Sequence, residues 1–294
     1  MLLIKNKSHY LMLAPFFILF FLFFLYPIGY GFYTSFLKWD GITEPAFIGL
    51  RNYQIVLQGK STLKAYSNLL TYVFITVPLC ILTAFILALV VQHIGKRAGN
   101  VLKSIYFLPA VIPTYLAASI WRWILASDIG LLNSLLSKLG FSQINFLTDP
   151  KVMIFSLIIV DVWCSAGFNM LILLAGLNDI PDQYYDAAKV DGANKFQEII
   201  HITIPQLFPS LFFVITYGFI SALQVFEVPW ILTSSSYMEY GGIKNGLLFP
   251  VMDMLGKGFG SLKFGQSAAY GIVLTIMILI FTAAQFILRR KLKK

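Results

Sequence analysis

Asp161 stands in an apolar run, about nine residues from one end and about sixteen from the other. A carboxylate so placed in a membrane is costly and by default faces a cavity or a partner. At about 100° per residue, Ser165 and Phe168 share its helical face and Asn169 borders it. Carboxylate, hydroxyl, ring and amide together suit a sugar, whose hydroxyls exchange hydrogen bonds while an apolar face stacks on the ring. The same residues also suit an interhelical hydrogen bond that holds a bundle together, and the sequence leaves both readings open. Trp163 and Trp230 offer rings for stacking or for an interfacial aromatic belt. Glu227, beside Pro229, and Arg122, between Trp121 and Trp123, count out to the outer rim of their runs. There Arg122 snorkels, and Glu227 either lines an outer vestibule or simply meets water.

Other chemistries lack the residues they need. His9, His93, His201, Cys80 and Cys164 are too scattered for a metal site, and the two cysteines sit in apolar runs as packing residues. A phosphate loop needs an earlier glycine separated by four residues from its Gly-Lys-Ser, but Gln54 occupies that place before Gly59-Lys60-Ser61. No nucleophile, metal set or acid–base pair converges, so an enzyme is the least favoured class.

The elements that position these residues follow from composition. Of 294 residues, 58% are hydrophobic and 12% charged, with a mean hydropathy of +0.78. A soluble domain carries about 25% charge, so this surface is built for lipid. With 27 Phe, 15 Tyr and 5 Trp, the chain is not a solvated coil. The net charge of +9 is spread thinly between apolar segments, apart from Arg289, Arg290, Lys291, Lys293 and Lys294. Such a juxtamembrane cluster fits anionic lipid and not a nucleic-acid groove.

A hydrocarbon core about 30 Å thick takes about 20 apolar residues in helix. Six such stretches are expected: roughly 11–36, 67–92, 104–126, 152–177, 208–232 and 267–288. The first is too long for a signal core and is followed by no small-x-small cleavage site, which makes it a retained span. The predicted fold is an all-α integral membrane protein, a single domain over 1–294 of six transmembrane helices. Lysine and arginine number twelve on the side of both termini and nine on the other, and the twelve sit in shorter segments close to helix ends. Both termini are therefore expected in the cytoplasm.

The cytoplasmic stretch 178–206 exceeds what a helical hairpin needs. Pro181 and Asp182 open one short helix, Tyr184, Tyr185, Ala187, Ala188 and Val190 give it an apolar surface, and Gly192 ends it after Asp191. Asn194 with Gln197 then caps a second helix, expected over 196–204 and stopping at Pro205. A hairpin too small for a core of its own suits docking to a protein or lying on lipid. Its acidic content (Asp179, Asp182, Asp186, Asp191 and Glu198 against Lys189 and Lys195) favours a protein.

The order Asp186-Ala187-Ala188, three residues, Gly192, nine residues, Ile202-Thr203-Ile204-Pro205 resembles the EAA signature (E-A-A-x3-G-x9-I-x-L-P) of permease subunits of binding-protein-dependent ATP-binding-cassette importers. Asp186 replaces Glu and Ile204 replaces Leu. The segments Phe47-Ile48-Gly49-Leu50-Arg51-Asn52-Tyr53, Tyr106-Phe107-Leu108-Pro109, Gly130-Leu131-Leu132-Asn133, Ala175-Gly176-Leu177 and Val190-Asp191-Gly192-Ala193 resemble the carbohydrate-uptake branch. Where that branch often has Thr-Gly-Gly-Pro, this chain has Thr233-Ser234-Ser235-Ser236.

The resemblance implies a bacterial or archaeal cell-membrane subunit that moves a sugar or oligosaccharide by alternating access. It implies four kinds of partner: a second permease chain, a cytoplasmic ATPase dimer holding the ATP and Mg, an extracytoplasmic solute-binding protein and membrane lipid. Coupling to the ATPase falls on Tyr185, Asp186, Ala187, Ala188, Asp191, Gly192, Ala193, Ile202 and Pro205, with no cofactor in this chain. Asp161, Trp163, Ser165, Phe168, Asn169 and Glu227 are the pathway candidates. Two alternatives remain: the same machinery carrying a polyol or glycerol phosphate ester, and an ion-coupled secondary transporter with Asp161 as the coupling carboxylate.

Overall fold

The computed structural model describes residues 7–234 and 241–292. Lys5, Ser235, Ser236, Lys293 and Lys294 lie outside the described residues. The chain divides into two compact units, one of Met1–Thr62 with Asp253–Met277, the other of Leu63–Met252 with Ile278–Lys294.

In the first unit, α1 (Lys7–Phe20) and α2 (Tyr26–Thr34) are joined by the π-turn Phe21–Leu25 into one apolar helix. Phe16, Phe20 and Phe24 stack along it with centroids 6.1 and 5.9 Å apart. A two-stranded hairpin follows, β1 (Leu37–Lys38) against β2 (Ala46–Phe47), with Leu37 opposite Phe47. Asn52, in α3 (Arg51–Gln58), explains the motif after β2. Its buried amide donates to the carbonyls of Ser35 and Leu37, each at 2.8 Å, while the hydroxyls of Tyr53 and Ser35 lie 2.6 Å apart.

The tip of the hairpin is an Asp-capped turn. Asp40 Oδ1 accepts from the amides of Thr43 (2.7 Å) and Ile42 (3.0 Å) and from the Thr43 hydroxyl (2.8 Å). These donors, the Thr43 amide first, hold its carboxyl down to about 2 from the ordinary 3.8. With the folded value depressed, the stabilisation is complete above the open-chain value and is lost as pH falls through about 2. The Thr43 amide resonance is expected to titrate with a midpoint near 2, and a midpoint at 3.8 would contradict the capped turn.

Asp253 and Lys257 were not singled out by the sequence. Asp253 lies in α14 (Pro250–Leu255) and Lys257 in the π-turn Gly256–Gly260. They form a largely buried ion pair, joined by the hydroxyls of Ser61 (3.3 Å) and Thr62 (3.4 Å) donating to Asp253 Oδ2. The Lys257 ammonium also donates to Ser61 Oγ (3.2 Å) and lies 5.2 Å from the centre of the Tyr270 ring. Asp253→Asn keeps an acceptor but removes the charge that three donors address. It should cost about 1–3 kcal/mol, read as a lower unfolding midpoint in detergent. An unchanged midpoint would show that the network contributes nothing to stability.

The second unit packs α8 (Met153–Asn178) between the remaining helices. Ala84, Ala88 and Val91 of α4 (Lys60–His93) meet Met170, Leu173, Leu174 and Leu177 of α8 and Leu207 and Val214 beside and within α12 (Phe208–Leu223). Small residues let backbones approach where lipid supplies no hydrophobic drive.

Two expected straight spans are broken. In place of one helix over 104–126 there are α5 (Lys96–Val111) and α6 (Thr114–Ile124), bent by 94°. Pro113 forces Ile112 out of the helical region, to φ −68° and ψ 129°. The stretch 208–232 is likewise interrupted. α12 ends at Leu223, Phe226 takes φ −147° and ψ −56°, and α13 (Glu227–Thr233) starts afresh. Between them lie α7 (Leu131–Lys138) and the hairpin helices described below. The last described helix is α15 (Phe264–Leu292), whose Arg289 guanidinium lies 4.4 Å over the Phe212 ring. This one basic-tail residue therefore stacks on an aromatic face. Among the described residues, four helices are long and apolar enough to cross a membrane, and two bent pairs, Arg97–Val111 with Thr114–Ile124 and Lys195–Gln206 with Phe208–Leu223, qualify if each is one span.

Candidate functional site

The segment 181–206 folds as two short helices around a glycine turn. α9 (Asp182–Val190) follows Pro181, which holds the extended N-cap position, with Asp182 in the first turn and Lys189 in the last, as the helix dipole favours. At its end, the Ala193 amide donates to the Ala188 carbonyl (2.9 Å) and the Gly192 amide to the Lys189 carbonyl (3.1 Å), with Gly192 at φ +80°. This is a Schellman cap, and it explains why the alanine pair and the glycine stand four residues apart. Asn194 then opens α10 (Lys195–Glu198) with a reciprocal capping box. Its Oδ1 accepts from the Gln197 amide (3.0 Å), and its own amide donates to Gln197 Oε1 (2.8 Å).

The second helix does not stop at Pro205. It passes through the π-turn Ile199–Thr203 into α11 (Ile204–Gln206), and the break comes at Leu207, where the axis turns by 71° into α12. Proline is accommodated here beside the π-turn, where the regular i→i−4 ladder is already interrupted.

Burial sorts the hairpin residues into two groups. Tyr185 and Ile202 pack against the core of the second unit, and the Tyr185 hydroxyl lies 3.1 Å from Thr203 Oγ1, tying the two limbs together. Ala188 and Ala193 are half-buried beside the cap, while Asp186, Ala187, Asp191, Gly192 and Pro205 are exposed. Val190 is 88% exposed and Phe196 71%, so apolar surface stands out where a solvated turn would be polar. Asp186 accepts from Lys189 (2.9 Å), and this hydrogen bond raises the lysine pKa.

The polar residues of α8 divide differently. Asp161 Oδ2 accepts from the Tyr72 hydroxyl of α4 at 2.7 Å. Ser165 donates to the Asp161 carbonyl (2.8 Å) and lies 3.1 Å from Cys80 Sγ. Both thus lie against α4 and make the interhelical contact. Asn169 is buried with no hydrogen-bond partner on Oδ1, Phe168 is exposed against Tyr217 (5.8 Å), and Trp163 is exposed with its edge on Trp121 (5.7 Å). Glu227 is exposed in the first turn of α13, just past the break that invalidates counting its depth along a straight helix.

Tyr217, Ser221 and Gln224 were missed. All three are exposed, Tyr217 and Ser221 on α12 and Gln224 at its C-cap, at spacing i, i+4, i+7, and Tyr217 continues the aromatic surface begun by Phe168. That polar spacing in an apolar run was the available signal. Among the described residues, no three His, Cys, Asp or Glu side chains gather as metal ligands.

Residues 80–294 match the family of inner-membrane components of binding-protein-dependent transport systems. The chain belongs to that family. This permease is 35% identical over 279 residues to the arabinooligosaccharides transport system permease protein of Bacillus subtilis, covering 94% of this chain and 86% of that one. It is 32% identical over 280 residues to the trehalose/maltose transport system permease protein of Thermococcus litoralis, covering 95% and 92%. Its fold is that of a chain in a bacterial ABC transporter involved in import of the acidic polysaccharide alginate. The TM-score there is 0.85 at 23% identity, over 98% of this chain and 97% of that one. The permease is accordingly a multi-pass membrane transport subunit, and its relatives are transport components rather than enzymes.

Proposed function

We propose that this permease is the translocation subunit of an ATP-driven importer for a sugar or oligosaccharide, working beside a second permease chain, an ATPase pair that binds ATP and Mg, and an extracytoplasmic solute-binding protein. The observation that carries the reading is the hairpin. It is capped at both helix junctions, tied to the core through Tyr185, and presents acid and apolar side chains outward with nothing of its own to bury them. Such a rigid elbow suits a groove on a cytoplasmic ATPase. Closure of the ATPases would then swing the spans between inward-open and outward-open states. In this reading α5 with α6 counts as one span and α12, beyond the 71° turn at Leu207, as another, giving six spans with both termini in the cytoplasm.

The sugar assignment draws support from the sugar transport systems of its relatives and from this chain's own surfaces. Trp163, Phe168, Tyr217, Ser221, Gln224 and Glu227 offer rings and hydrogen-bonding groups. Asp161 and Ser165 take part by fixing α8 against α4. A phosphate-bearing solute would favour a cation in the pathway, and none of these six surface residues carries one.

Reconstitution with cognate partners tests the reading: labelled arabinotriose or maltose should accumulate in vesicles only with ATP and Mg on the cytoplasmic side. Uptake that persists with ATP depleted and the membrane potential intact would replace it with ion-coupled transport. Within the same assay, Asp161→Ala should change which solutes are carried while subunit assembly survives. Unchanged selectivity would confine Asp161 to its bond with Tyr72.

A further inference from the structure

The β1–β2 hairpin and residues 261–266 enclose a cleft of about 540 Å³ within the first unit. No pathway candidate and no hairpin residue of the coupling segment belongs to it. Its walls carry Lys38, Lys263, Asp40, Glu44, Gln266 and the Trp39 indole.

The cleft is built, not left over from loose packing. The Trp39 indole is held in place by contacts with the Tyr30 ring (6.3 Å, edge-to-face) and the Phe264 ring (5.8 Å, tilted). Asp40 is fixed by the three donors of its turn. Gly265 presses so closely on β1 that a Cβ would lie 1.9 Å from the Leu37 carbonyl oxygen. Leu262 holds φ +51°, a conformation rarely adopted by a residue with a side chain and concentrated at functional sites. The Lys263 amide donates to the Lys257 carbonyl (2.9 Å), which seats this wall on the helix carrying the buried ion pair.

The lining selects the ligand class. Lys38 and Lys263 balance Asp40 and Glu44 in the lining, so the cleft offers no net charge to a phosphate ester or a polyanion. Its four charged side chains make it a poor seat for a lipid tail. Separated donors and acceptors around one indole match a neutral polyol with an apolar face, and the volume lies within the range of about 300–1,000 Å³ typical of small-molecule sites. We propose that this cleft is an accessory saccharide site, holding a neutral di- or trisaccharide against Trp39, separate from the translocation pathway. The proposal rests on the sugar reading above, which with its membrane orientation places the cleft on the extracytoplasmic side.

The test uses the full chain in lipid nanodiscs, labelled with 5-fluorotryptophan, the Trp39 resonance being assigned by Trp39→Phe. Maltotriose and arabinotriose are the probes, with inorganic phosphate as the charged control. The Trp39 resonance should move saturably with at least one trisaccharide and not with phosphate. Glu44→Gln and Lys263→Met, both at exposed positions, should each weaken that response about tenfold, as expected for loss of a hydrogen bond to a charged group. A Trp39 resonance unmoved by either sugar overturns the proposal. So does one that moves with the solute-binding protein in the absence of sugar, which would make the cleft a protein-docking surface. Vesicle uptake is scored separately: sugar uptake with a silent Trp39 removes the accessory site alone, whereas a responsive Trp39 without uptake keeps the site and removes the importer reading.

Discussion

Gly167→Ala is expected to prevent the permease from accumulating in the membrane in folded form. Gly167 lies where α8 crosses α5 backbone to backbone. A Cβ there would stand 1.9 Å from the Tyr106 carbonyl oxygen and 2.8 Å from the Phe107 Cα. Neither contact is the yielding end of a side chain, so the helices must separate. Overpacking usually costs about 1–3 kcal/mol, and a clash with backbone at this distance belongs at or above the top of that range. The contact also gives a physical reason for the Tyr106-Phe107-Leu108-Pro109 motif, which supplies the surface that only a glycine can approach. Size-exclusion profiles of a fluorescent fusion in mild detergent provide the readout, and a monodisperse peak of normal height with an unchanged melting midpoint would refute the contact.

Gly192→Val should leave insertion and stability nearly intact while reducing ATP-driven uptake by roughly tenfold or more. Nothing lies within 4 Å of a Cβ built at this exposed position, so steric crowding plays no part. The cost comes from φ +80°, where an L side chain loses about 1–2 kcal/mol and a β-branched one more. Relieving that strain breaks the Schellman bonds from Ala193 and Gly192 and lets the two limbs swing apart. Asn tolerates the left-handed region better than Val or Ala, so uptake should fall in the order Gly, Asn, Ala, Val. Full uptake in the Val variant would show that the turn's geometry is irrelevant to transport, and loss of the protein from the membrane would show that the hairpin serves folding.

The contrast between these glycines shows what was legible in the chain. Local signals at the hairpin were sufficient. Gly192 after an apolar run and Asn194 with Gln197 dictate their caps through bonds spanning at most five residues, and the caps form as expected. The break at Ile112 and Pro113 was also local, since a proline restricts its predecessor, but apolar periodicity drew the span straight across it. The turn at Gln224–Phe226 has a local marker too: Pro229 cannot donate to the Val225 carbonyl four residues back, and it falls in the first turn of the new helix α13.

Features built from distant residues were not readable at all. Ser61 and Thr62 meet Asp253 across more than 190 positions, and Tyr72 meets Asp161 across 89. Asp161 illustrates the difference. Composition identified it as a buried carboxylate needing a partner, but only the fold names Tyr72 as that partner. The Trp39 cleft likewise needs the two ends of the chain brought together.

Cross-linking from the hairpin tests the central claim most directly. A photoreactive group at Val190, the most exposed apolar position of α9, should capture a cytoplasmic ATPase in intact membranes. The yield should change when a non-hydrolysable ATP analogue closes the ATPase dimer. Capture of lipid alone, with and without nucleotide, would contradict the account.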